Sequence, residues 1–176
     1  MTLQRLIGSS LAIAILVSAP AGAQTAVQHD SAVRAVARSS GLPLPTPRTL
    51  RFTTDEASWI SLDVSPDGKT IAFDILGDLY TLPIAGGTAT RITSGTGWDQ
   101  QPRFSPDGKQ LVFVSDRNGS KNVWVANADG TKPRLITRSE RINFASPIWS
   151  ADGQYIIATR VGQLWMYNTS GGSGVQ

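Results

Sequence analysis

His29 is the only histidine in the sequence, and there is no cysteine. Those two counts remove most of the usual chemistry. A serine-hydrolase triad needs an imidazole held against its nucleophile, and His29 lies ahead of the patterned part of the chain, where it reads as a solvated tail residue. Thiolate metal sites and disulfides are excluded. A catalytic divalent metal calls for several imidazoles and a carboxylate, which are missing. Gly171-Gly172-Ser173-Gly174-Val175 lacks the last glycine of a Gly-x-Ser-x-Gly nucleophile elbow and reads as a turn. Asp67, Asp107 and Asp152 are regularly placed, but they fall one per repeat, without the spacing of a calcium loop. Glu56 and Glu140 are the only glutamates, and no carboxylate pair stands out for acid–base work. The expectation is a chain with no catalytic residues, no metal and no cofactor, whose remaining resource is a binding surface.

The elements that would position such a surface are announced by a repeat. Ser-Pro-Asp-Gly-Lys occurs at Ser65–Lys69 and Ser105–Lys109, and a variant, Ser-Ala-Asp-Gly-Gln, at Ser150–Gln154. Pro66 and Pro106 sit at the second turn position, where their fixed φ suits a type I turn. Asp67, Asp107 and Asp152 can bond their own backbone. Gly68, Gly108 and Gly153 supply the left-handed residue that lets the next strand leave antiparallel. Each turn is preceded by an apolar anchor (Val64, Phe104, Trp149) and followed by a strand-like run: TIAFDIL, QLVFVSD and YIIATR. Second runs follow, DLYTLPI, NVWVANA and QLWMYNT, which align Leu79 with Val123 and Leu164, and Tyr80 with Trp124 and Trp165. Glycine turns come next. In the first two copies a fourth run ends at Thr90–Thr93 and Arg134–Thr137.

Four short strands per unit of 40 to 45 residues is the period of a propeller blade. Runs that are apolar on successive residues, such as Leu111–Val114, predict strands covered on both faces. Trp124, Trp149 and Trp165 fall inside strands and are expected in the core. The predicted fold class is all-β: β-propeller blades, about three four-stranded antiparallel blades with the last incomplete, forming an open partial propeller over residues 51–176. The approximate blade limits are 55–95, 96–139 and 140–176. A β-sandwich also has short, evenly spaced strands, but it does not account for three homologous units with matched columns.

On these residues the chain resembles the repeats of TolB-like propellers. The resemblance rests on SLDVSPDGKTIAFD, QPRFSPDGKQLVFVSDRNGSKNVWVANADG and ASPIWSADGQYIIATR, and it covers about Phe52–Val175. The stretch SLDVSPDGKTIAFDILGDLYTLPIAGGTATRITSG is most similar to the propeller at the front of exported amidohydrolases. That resemblance implies a metal-dependent hydrolase barrel following the propeller, and a divalent metal there rather than in this chain. The Gly-His and Trp-Asp signatures of WD-repeat propellers are absent, as is room for the α/β domain that precedes the propeller in TolB itself.

Outside the repeat, Arg5, the apolar run Leu6–Val17, Pro20 and the small residues Ala21-Gly22-Ala23 form the layout of a secretory signal peptide. The apolar run is a dozen residues long, too short for a span, which needs about 20. The expectation is export to the periplasm or medium, cleavage after Ala23, no membrane span afterwards, and a flexible arm over residues 24–50 containing Pro43, Pro45 and Pro47. The net charge is +3, and the basic residues are scattered, unlike the clustered stripe of a nucleic-acid groove.

In a meander blade the second turn and the blade-to-blade connections share one rim, and here they are longer and richer than the opposite turns. Loops on a rigid scaffold carry recognition. Trp59, Trp98, Asp99, Arg117, Arg141 and Phe144 are therefore the candidate contacts, each with the competing role of a blade-packing aromatic or a solvated charge. A protein or peptide-like ligand is the expected partner class, and the open blade faces would allow self-association. Two functions compete: the non-catalytic front portion of an exported amidohydrolase-like hydrolase, with a binding or substrate-gating role, and a free-standing TolB-like interaction module of the cell envelope. For the first, the chain is expected to break off within its third blade, with the catalytic domain beyond.

Overall fold

The structure, a computed structural model, describes residues 52–176. The expected signal peptide and arm, together with His29, lie outside the described residues. Eleven strands form three antiparallel sheets in chain order, and no helix occurs among the described residues. The first sheet is β1 (Leu62–Val64), β2 (Thr70–Ile75), β3 (Asp78–Pro83) and β4 (Thr90–Arg91). The second is β5 (Asp99–Phe104), β6 (Gln110–Ser115), β7 (Asn122–Asn127) and β8 (Arg134–Leu135). The third is β9 (Phe144–Trp149), β10 (Tyr155–Arg160) and β11 (Gln163–Asn168). Each sheet is a simple meander, neighbours in sequence being neighbours in space. None closes on itself, so the fold is a partial β-propeller. Where a fourth strand of the third sheet would begin there is a single bridge, Met166 to Val175.

The three Asp-Gly turns have one geometry. The Ser65 hydroxyl donates to Asp67 Oδ1 at 2.6 Å and accepts the Thr70 N–H at 2.9 Å, while Lys69 N–H donates to the same carboxylate oxygen. Ser105–Asp107–Gln110 and Ser150–Asp152–Tyr155 repeat these bonds. Gly68, Gly108 and Gly153 have φ of 70°, 69° and 70°, which is why glycine is required there. The turns also stack from blade to blade: a Cβ on Gly108 would meet the Pro66 ring at 3.4 Å, and one on Gly153 the Pro106 ring at 3.7 Å.

The fourth strands are shorter than the sequence predicts, and threonine is the reason. Ile92 N–H and Thr93 N–H both reach the Leu79 carbonyl, and Leu79 N–H donates to Thr93 Oγ1 at 2.8 Å. The side chain replaces the next backbone partner, and the ladder stops. Ile136, Thr137 and Val123 repeat the arrangement.

Successive sheets pack face to face. β5 lies against β1, β2 and β3, and β9 against β5, β6 and β7. Leu79, Phe113 and Ala126 form one core between the first two sheets, and Ala72, Phe104 and Leu111 another. Val112, Val123, Val125 and Ile136 meet Phe144, Ile156, Ala158 and Tyr167 between the second and third. Only the middle sheet is covered on both faces: Leu111–Ser115 is buried at every position, whereas β2 and β10 alternate. Trp124, Trp149 and Trp165 are half-buried flanks of these cores rather than their centres. Trp149 also donates its indole N–H to the Arg103 carbonyl across the junction, at 3.1 Å.

Candidate functional site

The rim that carries the β2–β3 turn and the β4–β5 connection holds a cleft of about 450 Å³. Trp59, Leu76, Trp98, Gln100 and Gln101 line it, with Asp74 at its base. Gly77 makes room for Trp98. Its φ is +86°, and a Cβ there would meet the indole at 3.1 Å. The Trp98 backbone is fixed by an N–H bond to Asp116 Oδ1 at 2.7 Å, and half of its surface stays exposed. Leu76 and Gly77 both have positive φ, at 54° and 86°, giving the mirror-image two-residue turn that matches strand twist.

Below the aromatic rings the polar groups are committed. Asp74 accepts N–H groups from Ser61 at 2.9 Å and Gln101 at 2.7 Å, one on each oxygen. Gln101 Oε1 accepts Ser146 N–H at 2.7 Å. Gln101 and Ser146 are bulge residues with φ of 58° and 51°. The bulges of β5 and β9 are thus each tied to a side chain of the preceding sheet, Asp74 and Gln101. The cleft offers aromatic faces and amide edges, but no paired nucleophile and base. Among the described residues, no group of three or more His, Asp or Glu could hold a metal ion, and no helix is long and apolar enough to cross a membrane.

The six rim candidates separate into two sets. Trp59 is fully exposed, Trp98 half-exposed and Arg141 exposed. Asp99 and Phe144 are not loop residues. They open β5 and β9 and are 1% and 3% exposed. Phe144 belongs to the core between the second and third sheets, edge-on to Tyr167 at 5.8 Å. Asp99 accepts from Arg117 at 2.6 Å. Arg117 also donates to the Ser115 hydroxyl and lies over Phe113 and Trp124 at 5.3 and 5.1 Å. Asp99 and Phe144 are drawn inward because a connection must dive in to begin the next inner strand, and Arg117, in the β6–β7 turn, follows Asp99 through their ion pair. Close by, burial pushes the Asp78 carboxyl above the usual range, opposed by Arg91 at 3.3 Å.

A larger groove, about 730 Å³, opens on the opposite rim between the first two sheets. Asp67, Asp107 and Asp129 stand on its lip with Arg91, above Ile92 and Phe104. Reading the turns as purely structural overlooked it. Its signal in the sequence is the repetition itself, since identical turns on adjacent blades must face each other across a junction.

Residues 67–172 match the family described as the tricorn protease N-terminal β-propeller domain. The chain is 38% identical over 79 residues to the uncharacterized protein Atu1656 of Agrobacterium fabrum, covering 43% of this chain and 27% of that one. It is 32% identical over 98 residues to tricorn protease homolog 1 of Streptomyces coelicolor, covering 56% and 9%. It is 32% identical over 120 residues to the Tol-Pal system protein TolB of Wolinella succinogenes, covering 65% and 28%. Among solved structures it resembles the putative TolB from Agrobacterium tumefaciens, with a TM-score of 0.58 and 27% identity over 64% of this chain and 46% of that one. The chain spans less than a third of the length of these curated relatives.

Proposed function

The chain belongs to the tricorn protease N-terminal β-propeller domain family, and from that premise we propose that it is the non-catalytic propeller portion of an exported hydrolase, which binds or gates a peptide-like ligand. The observation that carries the binding role is the cleft in which Trp98 stands over Gly77 beside Gln100. Aromatic faces with amide edges suit an extended peptide, whose backbone seeks hydrogen bonds and whose side chains seek apolar cover. The family supports the hydrolase part. The likeness of residues 61–95 to amidohydrolase propellers supports a metal-dependent amidohydrolase as the partner domain, encoded outside these 176 residues. The leader-like N-terminus supports export.

Two experiments test this reading. Reading the gene past codon 176 should show further blades in frame and then a histidine-rich barrel; a different domain there removes the amidohydrolase assignment. Passing a defined peptide library over the immobilised chain should retain ligands in the micromolar range. Trp98→Ala should weaken retention at least about tenfold, the scale of a lost aromatic anchor, and Arg141→Ala should not. Retention indifferent to Trp98→Ala excludes the cleft. The likeness to TolB over 120 residues favours a second reading, a free-standing interaction module of the cell envelope, and a stop directly after codon 176 would select it.

A further inference from the structure

We propose, on the premise that the cleft around Trp98 binds a peptide, that it selects a basic side chain of that peptide. A lysine or arginine lays its stem along the indole and Leu76 and brings its charged head over Asp74. Asp74 is the one charged residue that lines the cleft, and it is 6% exposed.

Asp74 carries more charge than its structural task requires. Its oxygens accept the Ser61 and Gln101 N–H groups, which fills two of the roughly four acceptor positions of a carboxylate. Tying the bulge of the next inner strand does not call for a charge, because one sheet later a neutral amide does it: Gln101 Oε1 accepts the Ser146 N–H at 2.7 Å. The residues in the column of Asp74 are Val114 and Thr159, each facing its third strand as Asp74 faces Leu79. A carboxylate taken out of water without a cation is unfavourable, and the described residues supply none. Their ion pairs join Arg91 to Asp78, Lys109 to Asp107 and Arg117 to Asp99. Arg117 passes beside Gly97, but its guanidinium is held by Asp99 at 2.6 Å and lies over Phe113 and Trp124.

The surroundings extend the negative field. Asp116 accepts the Trp98 N–H and has no cationic partner among the described residues. Residues 52–61, which bring Ser58 and Ser61 to the cleft, include Asp55 and Glu56 and no lysine or arginine. The whole chain is +3, so the sign here is local. Trp98, half exposed, presents an indole face, and a cation is attracted to such a face by the ring quadrupole. Leu76, 72% exposed, covers a methylene stem, which long basic side chains bury while their heads stay polar. The Gln100 amide and the Ser61 hydroxyl line the same cleft and accept N–H groups from the head. A neutral side chain uses the indole alone, and an acidic one meets Asp74 with like charge.

The test uses the chain as recovered from expression of its whole coding sequence, and short alanine-based peptides that differ only in a central lysine, arginine, acetyl-lysine, citrulline, leucine or glutamate. Acetylated and amidated ends keep terminal charges out of the comparison. Isothermal calorimetry should show lysine and arginine binding at least about fivefold tighter than acetyl-lysine and citrulline, with glutamate weakest. That margin should shrink as salt rises from about 0.05 to about 0.5 M. Trp98→Leu, which keeps apolar cover and removes the indole face, should weaken the lysine peptide at least about threefold, and more than the leucine peptide. Asp74→Asn should erase the margin of lysine over acetyl-lysine while the leucine peptide still binds, which also reports the variant as folded. If that variant does not fold, the isostere comparison on the unaltered chain decides. Equal binding of lysine and acetyl-lysine, or a margin that folded Asp74→Asn leaves intact, overturns the inference and leaves the peptide reading standing. Binding of none of the peptides overturns both.

Discussion

The middle sheet and its two neighbours are built from the same columns of residues, and they differ in what lies beside them. Leu79 and Val123 are 1% and 0% exposed, and Leu164, in the same column, is 67% exposed. Side-chain type is nearly constant, so burial here is decided by the presence of a following sheet. The column of Trp59, Asp99 and Phe144 shows the reverse dependence, on a preceding sheet. In it, three different chemistries fill one position: an exposed indole, a buried ion pair and a buried phenyl ring. A blade is therefore not a unit of stability. Its apolar faces become a core only through its neighbours, as in other repeat proteins whose stability lies largely in interfaces.

The largest break in this comparison should come from truncating one column at two sites. Leu79→Ala removes a buried side chain from the core with Phe113 and Ala126 and should cost about 2–5 kcal/mol of unfolding free energy. Leu164→Ala, measured in dilute protein, should cost under about 0.5 kcal/mol. Denaturant unfolding of the two variants reads the difference.

The repeat was legible in the sequence because turn chemistry is local. A serine, an aspartate and a left-handed glycine in fixed order define the turn wherever they occur, and the strands after it follow. The inner strands were harder to place. DQQPRF and FASPIW carry Pro102 and Pro147, which normally demote a segment from strand to loop. The bulges at Gln101 and Ser146 let these prolines sit inside a sheet, and nothing in either hexapeptide announces a bulge. Asp99 and Phe144 therefore looked like rim residues although they start strands. Trp98, one residue earlier, could be placed on the rim because the glycine-rich connection ends at it. The groove between the Asp-Gly turns escaped notice for another reason: it belongs to no single segment and exists only once two blades are stacked.

A smaller effect should separate two glycines in equivalent turns. Gly86 and Gly130 each close a turn by donating N–H to the carbonyl three residues back, Pro83 and Asn127. Both have positive φ, 87° and 81°. A Cβ on Gly86 would meet nothing, whereas one on Gly130 would overlap the Ile92 carbonyl of the first sheet. Gly86→Ala should carry only the left-handed backbone penalty, about 1–2 kcal/mol. Gly130→Ala should add overpacking of about 1–3 kcal/mol, read as a lower denaturant midpoint. Equal midpoints would mean that the first two sheets part easily at that edge.

The subtlest contrast is between the two rims, and pH exposes it. On the turn rim, the serine hydroxyl and a backbone N–H hold Asp67, Asp107 and Asp152 below the usual carboxylate range. The native state then binds fewer protons than the unfolded chain in that interval. Their contribution is present above the unfolded carboxylate value and is lost as pH falls through the lowered native values. On the loop rim burial holds Asp78 high. Its native state binds more protons, so stability falls as pH rises through the interval between its unfolded and native values. Replacing all three turn aspartates by asparagine should flatten the acid limb of a stability–pH curve. Asp78→Asn, which installs the residue found at the matching position Asn122, should instead remove the decline that begins above the unfolded carboxylate value. The two changes act in opposite directions and on separate stretches of the curve. If both variants lost the same limb, the rims would not be electrostatically independent, and the pull of Arg91 on Asp78 would have to outweigh its burial.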